Sequence, residues 1–199
     1  VPDGKLNRRI TASTEMQITG PAAGHERMKT NADATGTKVF GTVNNCSIGG
    51  SDPERGPYVA YMFNGGGYGG FAGGDGLNYG SPVISVARSQ PAELYEQRYP
   101  FRVKRFALRS GSGGAGRHRG GDGLVRRVEF REAMTANVLA NHRRIAPFGL
   151  EGGAPGAPGR NTVRRRGYVD SETLAATFGL AVEPGDEIQV ETPGGGGFG

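Results

Sequence analysis

Fifteen residues at 109–123, RSGSGGAGRHRGGDG, bring together three arginines, one acid and a run of glycines. Arg109, Arg117 and Arg119 each offer a planar fork of donors that suits a carboxylate or phosphate, and glycine lets backbone N–H groups approach an anion closely. The set is a candidate substrate- or anion-binding site, with Asp122 placed to orient one of the arginines. Gly111, Gly113 and Gly116 also spell G-x-G-x-x-G. A dinucleotide-binding turn of that spacing follows a strand and opens a helix, whose N-terminus receives the phosphate. Here the loop runs on into another strand-like segment, so no helix is available. A competing reading pairs the arginines with the acidic stretch 170–191 or with a neighbouring subunit.

Other chemistries find less support. The nearest approach to a phosphate-binding P-loop, Gly24 through Lys29-Thr30, lacks its second glycine. His25, His118 and His142 lie far apart, with no second ligand at metal-binding spacing. The chain has a single cysteine, Cys46, and no G-x-S-x-G, so a nucleophilic triad has no basis. Cys46 reads as a small buried residue, and Asn45-Cys46-Ser47, formally a glycosylation sequon, as a polar turn. Arg119-Gly120-Gly121 is a single RGG without interleaved aromatics, unlike the repeats of RNA-binding tails. Catalytic residues are not identifiable, and no cofactor or metal ligand is assigned to this chain.

The elements that must position the candidate site are short. The 199 residues include 37 glycines and 12 prolines, but the glycines are bunched between apolar segments, which reads as tight turns or close backbone approaches joining short strands. The pattern predicts strands at 57–64 and 81–88 and a brief helix at 91–98, with Pro91 in its first turn. In FRVKRFALR the alternation changes phase near Arg105, which predicts a β-bulge. LVRRVEFR puts Leu124, Val128 and Phe130 on one face of a half-buried strand. Asp170-Ser171 could cap a helix carrying Leu174 and Phe178 and ending at Gly179. DEIQVE is a strand followed by a glycine tail. A weak helix is predicted at 22–33. The expected fold class is α+β, mainly β, with a few short helices and a β-rich C-terminal half. The expected division is a poorly defined segment 1–56, completed by another chain, and a β-rich region 57–199.

Charge is unevenly distributed. Net charge is +5, yet 98–166 carries 16 Lys and Arg against four acids, while 170–191 carries six acids and no base. Such a band is either an anion-facing surface or one of two segments that lie against each other. It keeps open a non-catalytic basic module binding nucleic acid or protein. One cysteine, no signal-peptide core and no membrane-length apolar run give a cytoplasmic expectation, with no membrane partner.

Five blocks in order carry a resemblance: NGGGYGGFAGGDG (64–76), PAELYEQRYP (91–100), LRSGSGGAGRHRGGDGL (108–124), PFGLEGG (147–153) and ETPGGGGFG (191–199). Together they resemble the C-terminal part of the hydantoinase B / 5-oxoprolinase family. The resemblance implies ATP-dependent attack on a poorly electrophilic carbonyl, as in the opening of hydantoins and 5-oxoproline. Relatives form large subunits of ATP-dependent ketone carboxylases. It further implies a hetero-oligomer, with ATP and Mg on a hydantoinase A-like partner and no nucleic acid. The rest of the hydantoinase B sequence, with any divalent metal, would lie on an upstream chain or segment. The metal ligands of the carboxylase relatives lie in that part and map onto no residue here. An isolated chain would then be inactive.

Overall fold

The structure, a computed structural model, describes residues 44–80 and 89–199. The strand predicted at 81–88, the helix predicted at 22–33, and His25 lie outside the described residues.

Two antiparallel sheets share one core. The first has the order β2-β1-β5-β8, from β1 (Asn45–Asp52), β2 (Gly56–Met62), β5 (Met134–Leu139) and β8 (Thr177–Val182). The second has the order β3-β4-β9-β6-β7, from β3 (Phe101–Leu108), β4 (Leu124–Phe130), β9 (Glu187–Glu191), β6 (Arg160–Arg164) and β7 (Glu172–Leu174). Alternation dictates which side chains meet. Cys46 and Ile48 of β1, Met62 of β2 and Val138 of β5 point inward from the first sheet. Phe101, Val128, Phe130, Val163 and Ile188 meet them from the second. The fold is therefore mainly β, with a single short helix, α1 (Ala92–Arg98), among the described residues. The boundary expected at 56 falls inside the β1–β2 hairpin.

α1 begins after Pro91, whose φ of −55° suits helix entry, with Glu93 in the first turn and Arg98 in the last. Its tyrosines do a second job. The hydroxyls of Tyr95 and Tyr99 donate to the carbonyls of Tyr61 (2.9 Å) and Val59 (3.4 Å) on edge strand β2, covering acceptors that a sheet edge leaves open. The register of β3 on β4 shifts between Val103 and Arg105, where the phase change predicted a bulge. Glu96 of α1 accepts the Val103 N–H at 2.8 Å there. The side chain thus supplies an acceptor at the point where the ladder is disturbed.

Two expectations need correction. No helix forms at 170–179. Leu174 closes β7, and Phe178 and Gly179 lie in β8, paired with Val138 and Asn137. The i, i+4 spacing of Leu174 and Phe178 is coincidental; Phe178, Leu180 and Val182 alternate inward, and ladder bonds to β5 and β6 override a weak local helix signal. Asn45-Cys46-Ser47 is not a turn but the start of β1, with Cys46 in the core. Of the two readings open for the glycine runs, close backbone approach holds for most and positive φ for few.

Those runs build the other half of the molecule. The tail Pro193–Gly197 is buried, and its glycines face three neighbours in rotation. Gly194 backs onto Ser112–Gly113, Gly195 onto Tyr68–Gly69, Gly196 onto Phe148–Gly149, and Gly197 returns to Gly114–Ala115. This is the three-residue period of a polyproline II helix, which has no internal hydrogen bonds and so can bond sideways. Gly194, Gly195 and Gly197 donate to the carbonyls of Ala157, Gly121 and Ala154. The carbonyls of Pro193, Gly195, Gly196 and Gly197 accept from Gly67, Gly114, Gly70 and Leu150. A Cβ on any of these tail glycines would collide with a neighbouring backbone carbonyl.

Gly196→Ala is therefore expected to cost at least about 3 kcal/mol or to prevent folding, since rigid backbone on both sides cannot yield. Gly111→Ala, at φ +77° with nothing within 4 Å of the added methyl, should cost only about 1 kcal/mol. Urea unfolding of the two variants checks the contrast.

Candidate functional site

The loop 109–123 leaves β3, crosses the tail and enters β4, so no helix follows Gly111–Gly116. Its backbone donors are already engaged. The N–H of Gly113 donates to Asp122 Oδ1 (2.9 Å), that of Gly114 to Gly195 O, that of Gly120 to Gly114 O, and that of Gly121 to Tyr68 O. Gly123 N–H donates to Ser112 Oγ at 2.9 Å. The loop is thus locked to the tail, and these amides are not available to cradle a phosphate.

The three arginines have different fates. Arg109 lies against the end of β9: its Nε is 3.2 Å from Glu191 Oε2, and its Nη1 donates to the carbonyls of Pro158 (2.6 Å) and Thr192 (3.2 Å). Arg119 is exposed and its Nη1 is 3.2 Å from Asp122 Oδ1, while its N–H donates to Asp75 Oδ1 at 2.7 Å. Arg117 is exposed, and among the described residues no hydrogen bond or ion pair engages its guanidinium. The fold therefore joins Arg119 with Asp122, commits Arg109 to the acidic stretch, and leaves Arg117 projecting from the loop. Asp122 is buried. Burial alone would raise its carboxyl, but the Gly113 N–H and the Arg119 guanidinium outweigh it and hold the group below the usual carboxylate range.

The basic band and the acidic stretch do lie against each other. Arg164 Nη2 meets Glu187 Oε1 at 2.6 Å, Arg127 Nε approaches Glu187 Oε2 at 3.8 Å, and Arg165 Nη1 meets Asp186 Oδ2 at 2.6 Å. With Arg109, four arginines of the band are thus paired with the acidic stretch, and the rest of its positive charge is not neutralised by that stretch.

Two arginines, Arg126 buried and Arg143 half-buried, escaped the sequence reading. Arg143 ties the ends of the two sheets together: its Nη1 donates to Asn44 Oδ1 and Asn141 O (both 2.8 Å), and its Nε and Nη2 to Asn161 Oδ1 (3.1 and 2.8 Å). Burial first and nearby Arg109 second lower its pKa to about 10, against a smaller opposing effect of Glu191. Gly159 leaves the room this guanidinium occupies. Arg126, 5% exposed, shares the inward face of β4 with Leu124 and Val128 and lies 4.4 Å over the Phe106 ring. Burial beside it pushes the Cys46 thiol up to about 12, only partly offset by Arg126, so the thiol is inert. The only sequence signal for Arg126 was its period-two phase with Leu124 and Val128. For Arg143 there was none, because its partners come from separate segments. Among the described residues, no three His, Cys, Asp or Glu side chains form a group that could hold a metal ion. No helix among them is long and apolar enough to cross a membrane.

A glycine-latched pair of antiparallel sheets defines the structural class, and comparison with known proteins supplies the family. The model for Hydantoinase B/oxoprolinase matches residues 22–199, and the chain belongs to that family. It is 43% identical over 107 residues to 5-oxoprolinase of Saccharomyces cerevisiae, covering 54% of this chain and 8% of that enzyme. It is 34% identical over 161 residues to 5-oxoprolinase of Dictyostelium discoideum, covering 80% of this chain and 12% of that enzyme. Among solved structures, the ATP-dependent caprolactamase of Pseudomonas jessenii superposes with a TM-score of 0.70 at 26% identity, over 82% of this chain and 30% of that one. A nucleotide-free acetone carboxylase gives 0.68 at 21% identity, over 80% and 26%, and shares the fold. The chain thus spans under a third of the length of each of these proteins.

Because the Asp122 carboxyl is held below its unfolded value of about 3.9, its contribution to stability is full above that pH and is lost as pH falls through the folded value. Asp122→Asn should reduce stability at pH 7 by about 2 kcal/mol and flatten the acid limb below about pH 4. Denaturant titrations at pH 7 and pH 3 provide the check; an equal acid loss in variant and parent would contradict this account.

Proposed function

We propose that this chain is part of an ATP-dependent enzyme that opens cyclic amides, acting in a hetero-oligomer with a nucleotide-binding hydantoinase A-like partner. The observation that supports it most is sequence identity of 34–43% to 5-oxoprolinases from yeast and Dictyostelium. The caprolactamase, also a cyclic-amide enzyme by its name, supports the same reaction class over a ketone carboxylase, since the acetone carboxylase is similar in fold at lower identity. The assembly is proposed to be cytoplasmic. ATP and Mg bind the partner, and any divalent metal belongs to the part of the hydantoinase B sequence that this chain does not span. ATP bound there supplies the phosphoryl group that activates an otherwise unreactive amide oxygen.

This chain contributes a rigid wall and cations to that chemistry. Arg119, aimed by Asp122, and Arg117, exposed on the same loop, are its best-placed anion contacts. Arg109 anchors the loop through Glu191 and acts on the site through position.

Two measurements test the reading. The chain alone should show no ATP-dependent turnover of 5-oxoproline, hydantoin or caprolactam, and turnover should appear once the partner polypeptides are added. Turnover by the chain alone would sink it. Within the active assembly, Arg117→Ala and Arg119→Ala should each lower kcat/KM about tenfold or more, equivalent to about 1.4 kcal/mol. Arg117→Ala should leave the chain's unfolding midpoint unchanged.

A further inference from the structure

The outward faces of the two sheets differ in kind. On the five-stranded sheet, Arg102, Glu129, Glu187 and Arg164 form one transverse row through the registers of β3, β4, β9 and β6. Glu129 pairs with Lys104 (2.9 Å) and Glu187 with Arg164 (2.6 Å), while Arg102 is exposed, so charge of both signs covers this face. On the four-stranded sheet, no outward position carries a charge. The registers place Gly49, Val59, Tyr61, Leu139, Gly179 and Ala181 on that face, and the remaining outward positions are Ser, Thr, Asn and Pro. Val59 is 64% exposed, Leu139 59% and Tyr61 44%. About one residue in five of the whole chain is charged (22%), so an exposed face across four strands without one is a marked departure. Depletion of charge with retained Tyr and aliphatic side chains is the composition of an interface core. Its glycines and alanine offer nothing larger than a methyl group to hold a second layer away.

We propose that this uncharged face is the docking surface for the remainder of the hydantoinase B polypeptide. The two 5-oxoprolinases, the caprolactamase and the acetone carboxylase are each more than three times as long as the segment they share with this chain. That remainder must pack on some face of this module, and the charged sheet is closed by its own ion pairs. The occupant is accordingly an uncharged, apolar surface of the upstream polypeptide, whether joined to this chain or separate. The inference rests on the reading that this chain works together with that remainder.

Thiol footprinting tests it, because Cys46 is the sole cysteine and is buried with its thiol pushed up to about 12. Single cysteines are introduced as Val59→Cys and Leu139→Cys on the uncharged face and Arg102→Cys on the charged one. Each variant is checked for native circular dichroism and labelled with a maleimide, alone and in complex with the polypeptide carrying the remaining hydantoinase B sequence. Complex formation should slow labelling at 59 and 139 about tenfold or more and at 102 by less than about twofold, as burial in a dry interface core requires. Equal labelling with and without the partner, protection of position 102 instead, or failure of the two polypeptides to associate would overturn the proposal. So would protection already present in the isolated chain: independent of concentration it would assign the face to residues 1–43, and dependent on concentration to a second copy. Turnover is read separately. Protection without turnover retires the enzymatic reading and keeps the interface, whereas turnover without protection retires the interface alone.

Discussion

Four loops, near 65–77, 109–123, 147–150 and 153–157, are hydrogen-bonded to one strip of backbone, Pro193–Gly199, and the rest of the glycine-rich half depends on that contact. An extended chain with a three-residue period presents donors and acceptors outward in three directions, so it can bind several neighbours where a β-strand binds two. The close approach works only without Cβ atoms on either side. This explains why the glycines come in runs in four distant places: each run is one wall of the same packing. Ordering so much glycine is entropically costly, and lateral hydrogen bonds buried from water are what offset it.

The tail in turn fixes the candidate site. Thr192, at its root, accepts the Leu124 N–H and donates to Gly65 O, both at 2.7 Å, joining the start of β4 to the end of β2. The loop that carries Arg117 and Arg119 is pinned by Gly114 and Gly120 on one side and by Asp122 on the other, so its exposed cations project from a rigid base. Arg109 and Arg143 complete the seam between the sheets. One neutralises Glu191, and the other is held by neutral amide and carbonyl oxygens at the ends of several strands. Positive charge among the described residues therefore divides: Arg109, Arg127, Arg164 and Arg165 close the fold against the acidic stretch, while others, Arg117 among them, stay exposed.

β2 and β9 were legible from the sequence as short apolar segments beside glycine, β4 through period-two alternation, and the bulge through the phase slip at Val103–Arg105, because those signals are local. The same reading failed at 170–179. There the choice between helix and strand was made by pairing with β5 and β6, more than 35 residues and about ten residues away respectively. It also left open whether the glycines serve turns or close backbone approach, since a sequence shows that a residue lacks a side chain but not what comes close enough to require it. At the site, an arginine oriented by Asp122 was expected from the sequence, and the structure identifies it as Arg119. The commitment of Arg109 to Glu191 was open, as the two are 82 positions apart.

By itself the sequence determined family membership, through five ordered blocks of which four are glycine-rich, and the mainly-β class, through alternation. It also determined that no helix could follow Gly111–Gly116 to make a dinucleotide site. The tertiary structure decided which arginines are spare, which sheet face is solvated and which is left without charge, and that the glycines are a packing device. These are properties of distances between remote segments. Hydrogen bonds and ion pairs form only when chain topology brings their partners within about 3 Å, and residue type alone does not encode that approach.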